Sequence, residues 1–293
     1  MGRSLFAAPL LGALLCVAGC ASAKPPQPLL WKVSDGDNAV YLLGSVHLLR
    51  PDDYPLPVQM DAAFADAERL RFEVSPEEMQ SPQTQRSLIR RGLLPSGQSL
   101  HDKLSPKTWQ RLNAYAARSG LPLANIAGFK PWLAALVISV DEVKKIGYRE
   151  DLGLDEHFMA EARKSGKPAA GLETAEEQFA VFDGLSDREQ DEMMRQTLDE
   201  AADLRREMES LHALWRNGDG DGLYRLETKD MAAYPEFFHR INRDRNLHWL
   251  PEIQSLLAEH EGDTLVVVGS LHLLGQEGLV NLLRQKGYRV ERL

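Results

Sequence analysis

Apolar positions along this chain fall into two spacings. Residues 31–33 and 39–43 are short β-prone runs separated by Asp35-Gly36-Asp37-Asn38, and such a polar, glycine-containing break predicts a hairpin. Over residues 57–70 the spacing changes, and Met60, Phe64 and Ala67 fall on one helical stripe. Residues 70–74 return to a strand. Strand, helix, strand is the rhythm of an α/β layered fold. The middle of the chain reads as helical. Ser105 and Pro106 open a helix that Gly120 stops, Pro131 leads a second over 130–140, and Gly166 closes a third over 154–165. A fourth covers 174–182. Ser186 then caps a long, charged, amphipathic stretch ending near Arg216. Residues 217–222 break it, and two or three further helices run to His260. Residues 264–268 are strongly β-prone, 276–285 predict a short helix ended by Gly287, and 288–293 alternate as a last strand. The pattern predicts an α/β fold with a mixed central sheet from the N- and C-terminal segments and a large helical middle insertion.

The first residues follow a different logic. Met1-Gly2-Arg3 precedes an apolar run over residues 5–17, and Ala18, Gly19 and Cys20 follow. One basic residue, a short apolar core and a small-residue exit make a secretory signal, too short for a membrane span of about 20 apolar residues. Val17-Ala18-Gly19-Cys20 also resembles a bacterial lipobox, which implies cleavage after residue 19 and lipid attachment at Cys20. An ordinary cleaved signal peptide would export the chain equally. Gly2 does not suit myristoylation, because the serine stands at position 4 and an export-like run follows. The expected organisation is a signal peptide over 1–19, a lipidated tether over 20–28 and one domain over 29–293. Ala21 and Ser22, with no aspartate second, imply sorting to the outer membrane with the domain facing the periplasm. Cys16 leaves with the signal and Cys20 carries lipid, so no disulfide is expected and the apolar core must hold the domain. The formal charge moves from -9 to -10 when Arg3 is lost. That balance opposes nucleic acid and anionic membrane faces as partners, leaving membrane contact to the lipid anchor alone.

The most informative feature is an echo. Gly44-Ser45-Val46-His47-Leu48-Leu49 and Gly269-Ser270-Leu271-His272-Leu273-Leu274 differ only at their third position, and each follows a hydrophobic strand. Strand-end positions in α/β folds line the crevice at the carboxyl ends of the strands. Glycine there permits close backbone approach, serine can cap the turn, and histidine supplies a metal ligand or a base. Two equivalent sites far apart in sequence are thus expected to become neighbours at one sheet edge.

These motifs stand with Arg71-Phe72-Glu73, Gly153-Leu154-Asp155-Glu156-His157-Phe158, Lys167-Pro168-Ala169-Ala170-Gly171-Leu172-Glu173-Thr174 and the ending from Gly275 to Val290. Together they resemble the TraB/GumN family, related to the eukaryotic TIKI proteins, over nearly all of residues 29–293. TIKI proteins are regarded as divalent-metal-dependent proteases, and the wider group is similar in fold to erythromycin esterases and to a haem-associated lipoprotein family. The resemblance implies an active centre of His47, Glu73 and His272.

Glu73 ends its strand and, in a parallel arrangement, reaches the same crevice as His47, where it could ligate a metal or take a proton from water. Glu173 is either a site residue or a carboxylate favoured at a helix start. Asp155 and His157, two apart, would not share a helix face, although both could reach a site from a helix start, and Asp155 could simply cap that helix. Arg243, Arg245 and Asn246 could orient substrate or a carboxylate, or form a solvated face. Mixed histidine and carboxylate donors suit a divalent ion, expected as Mn, Co or Zn, held by His47, Glu73, His272 and His157. The expected catalytic set is His47, Glu73, His272 and Glu173, hydrolysing a peptide with metal-activated water. Ester hydrolysis of a small molecule is the alternative, as is a non-catalytic envelope module binding a peptide, metal or haem. Neither a His-Glu-x-x-His helix nor a Gly-x-Ser-x-Gly elbow is present.

Overall fold

The computed structural model describes residues 26–229, 231, 235–259 and 262–293. The signal segment and Cys20 lie outside them. Six strands form one sheet: β1 (Leu30–Ser34), β2 (Ala39–Ser45), β3 (Arg69–Phe72), β4 (Ala169–Gly171), β5 (Thr264–Gly269) and β6 (Arg289–Arg292). Their order is β4-β3-β5-β2-β1-β6. Neighbours among β4, β3, β5 and β2 are parallel, while β1 runs antiparallel to both β2 and β6. The β1–β2 pair is the expected hairpin. The sheet is mixed, and the N- and C-terminal segments supply five of its strands.

β2 is buried along its whole length and β5 nearly so, which is why both read as continuous apolar runs instead of alternating ones. Helix α1 (Val58–Asp66) carries the chain from β2 to β3, and the short α13 (Ser270–Leu273) with α14 (Leu279–Gln285) carries it from β5 to β6. Strand β4 comes from the middle of the chain and divides the helical insertion in two. Ahead of it lie α2 (Pro76–Met79), α3 (Pro82–Gly92), α4 (Leu100–Lys103), α5 (Pro106–Ser119), α6 (Pro131–Lys145) and α7 (Leu154–Ser165). After it come α8 (Ala175–Asp183), α9 (Asp187–Arg216), α10 (Gly220–Thr228), α11 (Pro235–Phe238), a π-helical turn over His239–Arg243 and α12 (Asp244–Ala258). β4 escapes the sequence pattern because Ala-Ala-Gly carries no branched or aromatic side chain and is only half-buried.

Two cores result. The larger packs the sheet against α1, α7, α12 and α14, with Phe72, Phe158, Trp249 and Leu283 among its members. The smaller joins α4, α5, α6 and α9 through Leu112, Tyr115, Ile138 and Met194. The charged α9 is secured at its start by Ser186 and Glu189, each of which hydrogen-bonds the other's backbone N–H. Residues 26–28, expected as the end of the tether, lie against the domain: Pro26 and Pro28 are buried and the Gln27 N–H donates to the Arg216 carbonyl at 2.8 Å. Among the described residues no helix is long and apolar enough to cross a membrane.

Candidate active site

The four parallel strands deliver their following residues to one crevice at their carboxyl ends. β2 leads to His47, β3 to Glu73, β4 to Glu173, and β5 to Gly269 and His272. The two Gly-Ser-x-His segments do lie side by side, because β2 and β5 are parallel neighbours with Ser45 opposite Gly269. They are not equivalent. The register offsets the copies by one residue, with Gly44 opposite Val268. The first continues as strand to Ser45 and then bends, whereas the second turns at once into α13. His47 consequently stands in the open crevice with 65% of its side chain accessible, and His272 is buried.

His47 is held by Asp155. Its Nδ1 lies 2.8 Å from Asp155 Oδ2, and Ser45 Oγ donates to both oxygens of that carboxylate at 2.8 and 2.9 Å. Gly153 makes the approach possible. A Cβ there would stand 2.2 Å from the His47 carbonyl oxygen, and the Leu154 N–H donates to the Val46 carbonyl at 3.1 Å. The Gly153-Leu154-Asp155 motif therefore docks the start of α7 beneath the His47 loop and aims Asp155 at the imidazole. Asp155 raises the His47 pKa, to about 9, against the opposing effect of desolvation. The ring borders open cavity, so solvent screens the pair.

Glu73, Glu173 and His272 converge on a cation supplied by the chain itself. Arg245, in the first turn of α12, donates from Nη2 to Glu73 Oε2 at 2.5 Å and to Glu173 Oε1 at 2.6 Å. Its Nε reaches both Glu173 oxygens at 3.1 Å, while Nη1 donates to the Ile241 carbonyl at 3.1 Å and lies 3.0 Å from His272 Nε2. These contacts use the whole donor fork of a guanidinium, which offers five N–H groups. The Arg245 guanidinium also lies 4.7 Å from the centroid of the Trp249 ring. Asn246 Oδ1 stands 2.7 Å from His272 Nδ1. With Arg245 donating at Nε2, the ring of His272 is neutral and carries its proton on Nδ1. Burial, aided by the nearby Arg245 charge, pushes the His272 pKa down to about 3.

The two carboxylates titrate in opposite directions around this one guanidinium. Burial alone would raise Glu73, but Arg245 overrides it and holds Glu73 well below the usual carboxylate range. The Gly269 N–H donates to Glu73 Oε1 at 2.7 Å in support. For Glu173 burial wins over Arg245, and the like charge of Glu73 adds to it, so its pKa is raised. Gln178 Nε2 donates to both carboxylates at 3.2 Å, and Trp249 Nε1 donates to Glu173 Oε2 at 3.2 Å. Thr174, not Glu173, caps the following helix.

The expected residues are thus brought together with one exception. A Cβ built on Gly269 would lie 3.2 Å from Glu73 Oε1, 3.6 Å from His272 Cδ2 and 4.0 Å from His47 Nε2, so three of them border a single point. His157 is not among them. Its ring packs between Tyr54 and Phe158, centroids 5.7 and 4.9 Å away, because two residues along a helix from Asp155 faces elsewhere. Arg245 and Asn246 proved central, and one signal could have marked Asn246. Asn242 and Asn246 share the helical stripe of Trp249 and Ile253, where a polar residue on an apolar face marks a buried task.

The donor types suit a divalent ion, but the arrangement does not. Arg245 engages Glu73 Oε2, both Glu173 oxygens and His272 Nε2, and Gly269 engages Glu73 Oε1. Among the described residues, His47 Nε2 is the crevice-facing atom of the expected ligands that is left without such a partner. Among the described residues no group of three or more His, Cys, Asp or Glu side chains is placed to hold a metal ion. The expected Mn, Co or Zn centre of His47, Glu73, His272 and His157 does not form as arranged, since a guanidinium stands in the cation's place.

His47 and Glu73 lie where two cavities meet. One, of about 420 Å³, has mostly apolar walls that include Trp215, Leu223, Ile241 and Leu271. The other, of about 450 Å³, is lined by Phe72, Met79 and Met159 together with Glu150, Asp155 and Glu156.

Comparison with known proteins places this geometry. The chain is similar to the uncharacterized protein YbaP of Escherichia coli (strain K12), 25% identical over 251 residues that cover 85% of this chain and 89% of that protein. It is 26% identical over 329 residues to the protein named Metalloprotease TIKI1 of Danio rerio, covering 94% of this chain but 65% of that longer protein. Metalloprotease TIKI2 of Danio rerio is 24% identical over 305 residues, covering 86% and 58%. No solved structure gives a significant match. The TraB/PrgY/gumN family model matches residues 29–292, from just before β1 to the end of β6, and the chain belongs to that family.

Proposed function

We propose that this chain is a cell-envelope hydrolase that cleaves peptide bonds in the crevice at the strand ends, with esters the nearest alternative substrate. The observation that carries the reading is His47: its Nδ1 is tied to Asp155 and its Nε2 is left to the cavity. Nearby, the buried Glu73–Arg245–Glu173 cluster is fixed by a saturated set of hydrogen bonds. The name of the TIKI relatives supports hydrolysis of peptides, and the export signal with Cys20 supports an outer-membrane anchor facing the periplasm.

In this reading neutral His47 takes a proton at Nε2 from a water as the water oxygen bonds to the substrate carbonyl carbon. Asp155 keeps Nδ1 protonated and stabilises the imidazolium that forms. The proton then passes to the departing nitrogen as its bond to carbon breaks. Glu73, Arg245 and Glu173 hold the crevice wall and its charge in place. No step runs through a metal, because Glu73 and His272, two of the ligands expected for one, are engaged by Arg245.

Cleavage of a peptide library by the purified full-length chain tests this, with chelator in one arm and added Mn, Co or Zn in others. Products in the chelator arm that vanish in His47→Ala are expected. Products only on metal addition would overturn the role given to His47 as the activator of water. No products from a broad panel of peptides and esters would overturn the hydrolase reading itself.

A further inference from the structure

Of the ionisable groups lining the apolar chamber outside the site described above, His212 is tied to Asp53, the Tyr148 hydroxyl donates to the Met208 carbonyl, and Glu227 remains. Glu227, in the last turn of α10, lines the wall that also holds Trp215, Leu223, Ile241 and Leu271. Among the described residues no N–H or O–H group donates to its carboxylate. The cation two residues along, Lys229, is committed to Glu207 at 3.1 Å. Apolar surroundings push the Glu227 carboxyl up to about 7, the proximity of His47 only partly offsetting burial. A half-buried carboxylate among apolar side chains, with no hydrogen-bond donor beside it, favours a cation offered to it.

The charges around the crevice agree. Two carboxylates, Glu73 and Glu227, line this chamber, and Glu173 and Asp155 stand behind Arg245 and His47. The positive charge of Arg245 is already shared by Glu73 and Glu173, and that of His47 faces Asp155. Among the described residues, Glu227 is the carboxylate of this chamber left over. An aliphatic stem ending in a positive head matches apolar walls with one unpaired acid among them.

We propose that Glu227 anchors a positively charged group of the substrate, so that the apolar chamber selects a lysine- or arginine-like side chain beside the bond to be cut. This deepens the hydrolase reading by naming its substrate class, and it can be tested without hydrolysis. The probes are N-acetyl-lysinamide and N-acetyl-norleucinamide, which share an aliphatic stem and differ in the terminal charge. Their binding to the full-length chain at pH 8 is measured by calorimetry for wild type, Glu227→Gln and Glu227→Asp. A charge-assisted contact predicts at least about tenfold tighter binding of the lysine probe to wild type. Glu227→Asp should keep most of that preference, and Glu227→Gln should reduce it to about one. Equal binding of the two probes to wild type, binding of neither, or a preference that survives in Glu227→Gln would overturn the proposal. The wild-type comparison stands even if a variant fails to fold. A Glu227-dependent preference in a protein that cleaves nothing would leave this site intact and defeat only the hydrolase reading.

Discussion

Replacing Arg245 by methionine should strand two carboxylates at once. The side chains of Arg245, Glu73 and Glu173 are 14%, 12% and 3% accessible, so solvent screens their interaction little. Removing one partner of a buried ion pair costs about 3–5 kcal/mol, because the remaining charge is left uncompensated. Glu73 would keep the Gly269 N–H, and Glu173 would keep Trp249 Nε1, which places the expected loss near 3–4 kcal/mol at pH 8, within that same range. The loss should shrink in acid. In wild type the depressed Glu73 pKa contributes stability above the ordinary carboxylate value, and that contribution is lost as pH falls through the folded-state pKa. Once Arg245 is gone, burial acts unopposed on both carboxyls and raises both. Protonation then relieves the variant as pH falls from 8 towards 5. Urea unfolding at the two pH values, compared at equal denaturant slope, measures this. Replacing Glu73 and Glu173 by glutamine in the Arg245→Met background should recover most of the loss. A deficit under about 1 kcal/mol, or one equal at both pH values, would refute the assignment of Arg245 as a buried counter-ion.

Other consequences can be measured separately. His47→Ala should leave urea stability within about 1 kcal/mol, because the ring is largely accessible, and lower peptide cleavage by about 10²–10⁴-fold. A matching loss of stability would show the effect to be structural. If His47 acts as a base, kcat/KM rises with pH through its raised pKa of about 9, and Asp155→Asn brings the inflection down towards the ordinary value near 6.5. An inflection unmoved by Asp155→Asn removes His47 as the titrating group. Gly153→Ala places a Cβ 2.2 Å from the His47 carbonyl oxygen, and overpacking of that kind costs about 1–3 kcal/mol with loss of cleavage. Wild-type stability and rates in that variant would mean that α7 can move away from the loop without consequence.

Much of the fold is written in hydrophobic spacing. The hairpin, β5 and β6 are readable because β2 and β5 are central strands whose side chains meet apolar neighbours on both faces. β4 and the short α2 and α4 are not, since three or four residues hold too little pattern to separate strand or helix from loop. The repeated Gly-Ser-x-His segments announced that two strand ends would meet. They could not announce that one histidine would be open and the other buried, because that difference arises from the turn into α13 and from Asn246 and Arg245 on a distant helix. Arg245 was readable only as one of two alternatives, a residue orienting a carboxylate or a solvated charge, since sequence carries residue type but not the burial that makes a guanidinium a hub. Glu227 gave no sequence signal at all: its role depends on walls assembled from α9, α10, the π-helical turn and α13.

The pairing of β2 with β5 has a consequence for when the protein can act. Ser270 Oγ donates to the Ser45 carbonyl across 225 positions of chain, and His47 and Gly269 border the same point in the crevice. A nascent polypeptide that still lacks its last few dozen residues has no such neighbour for β2. Closing so long a loop is slow and comes late in folding. The groups at the strand tips therefore stay apart until synthesis of the chain is all but finished.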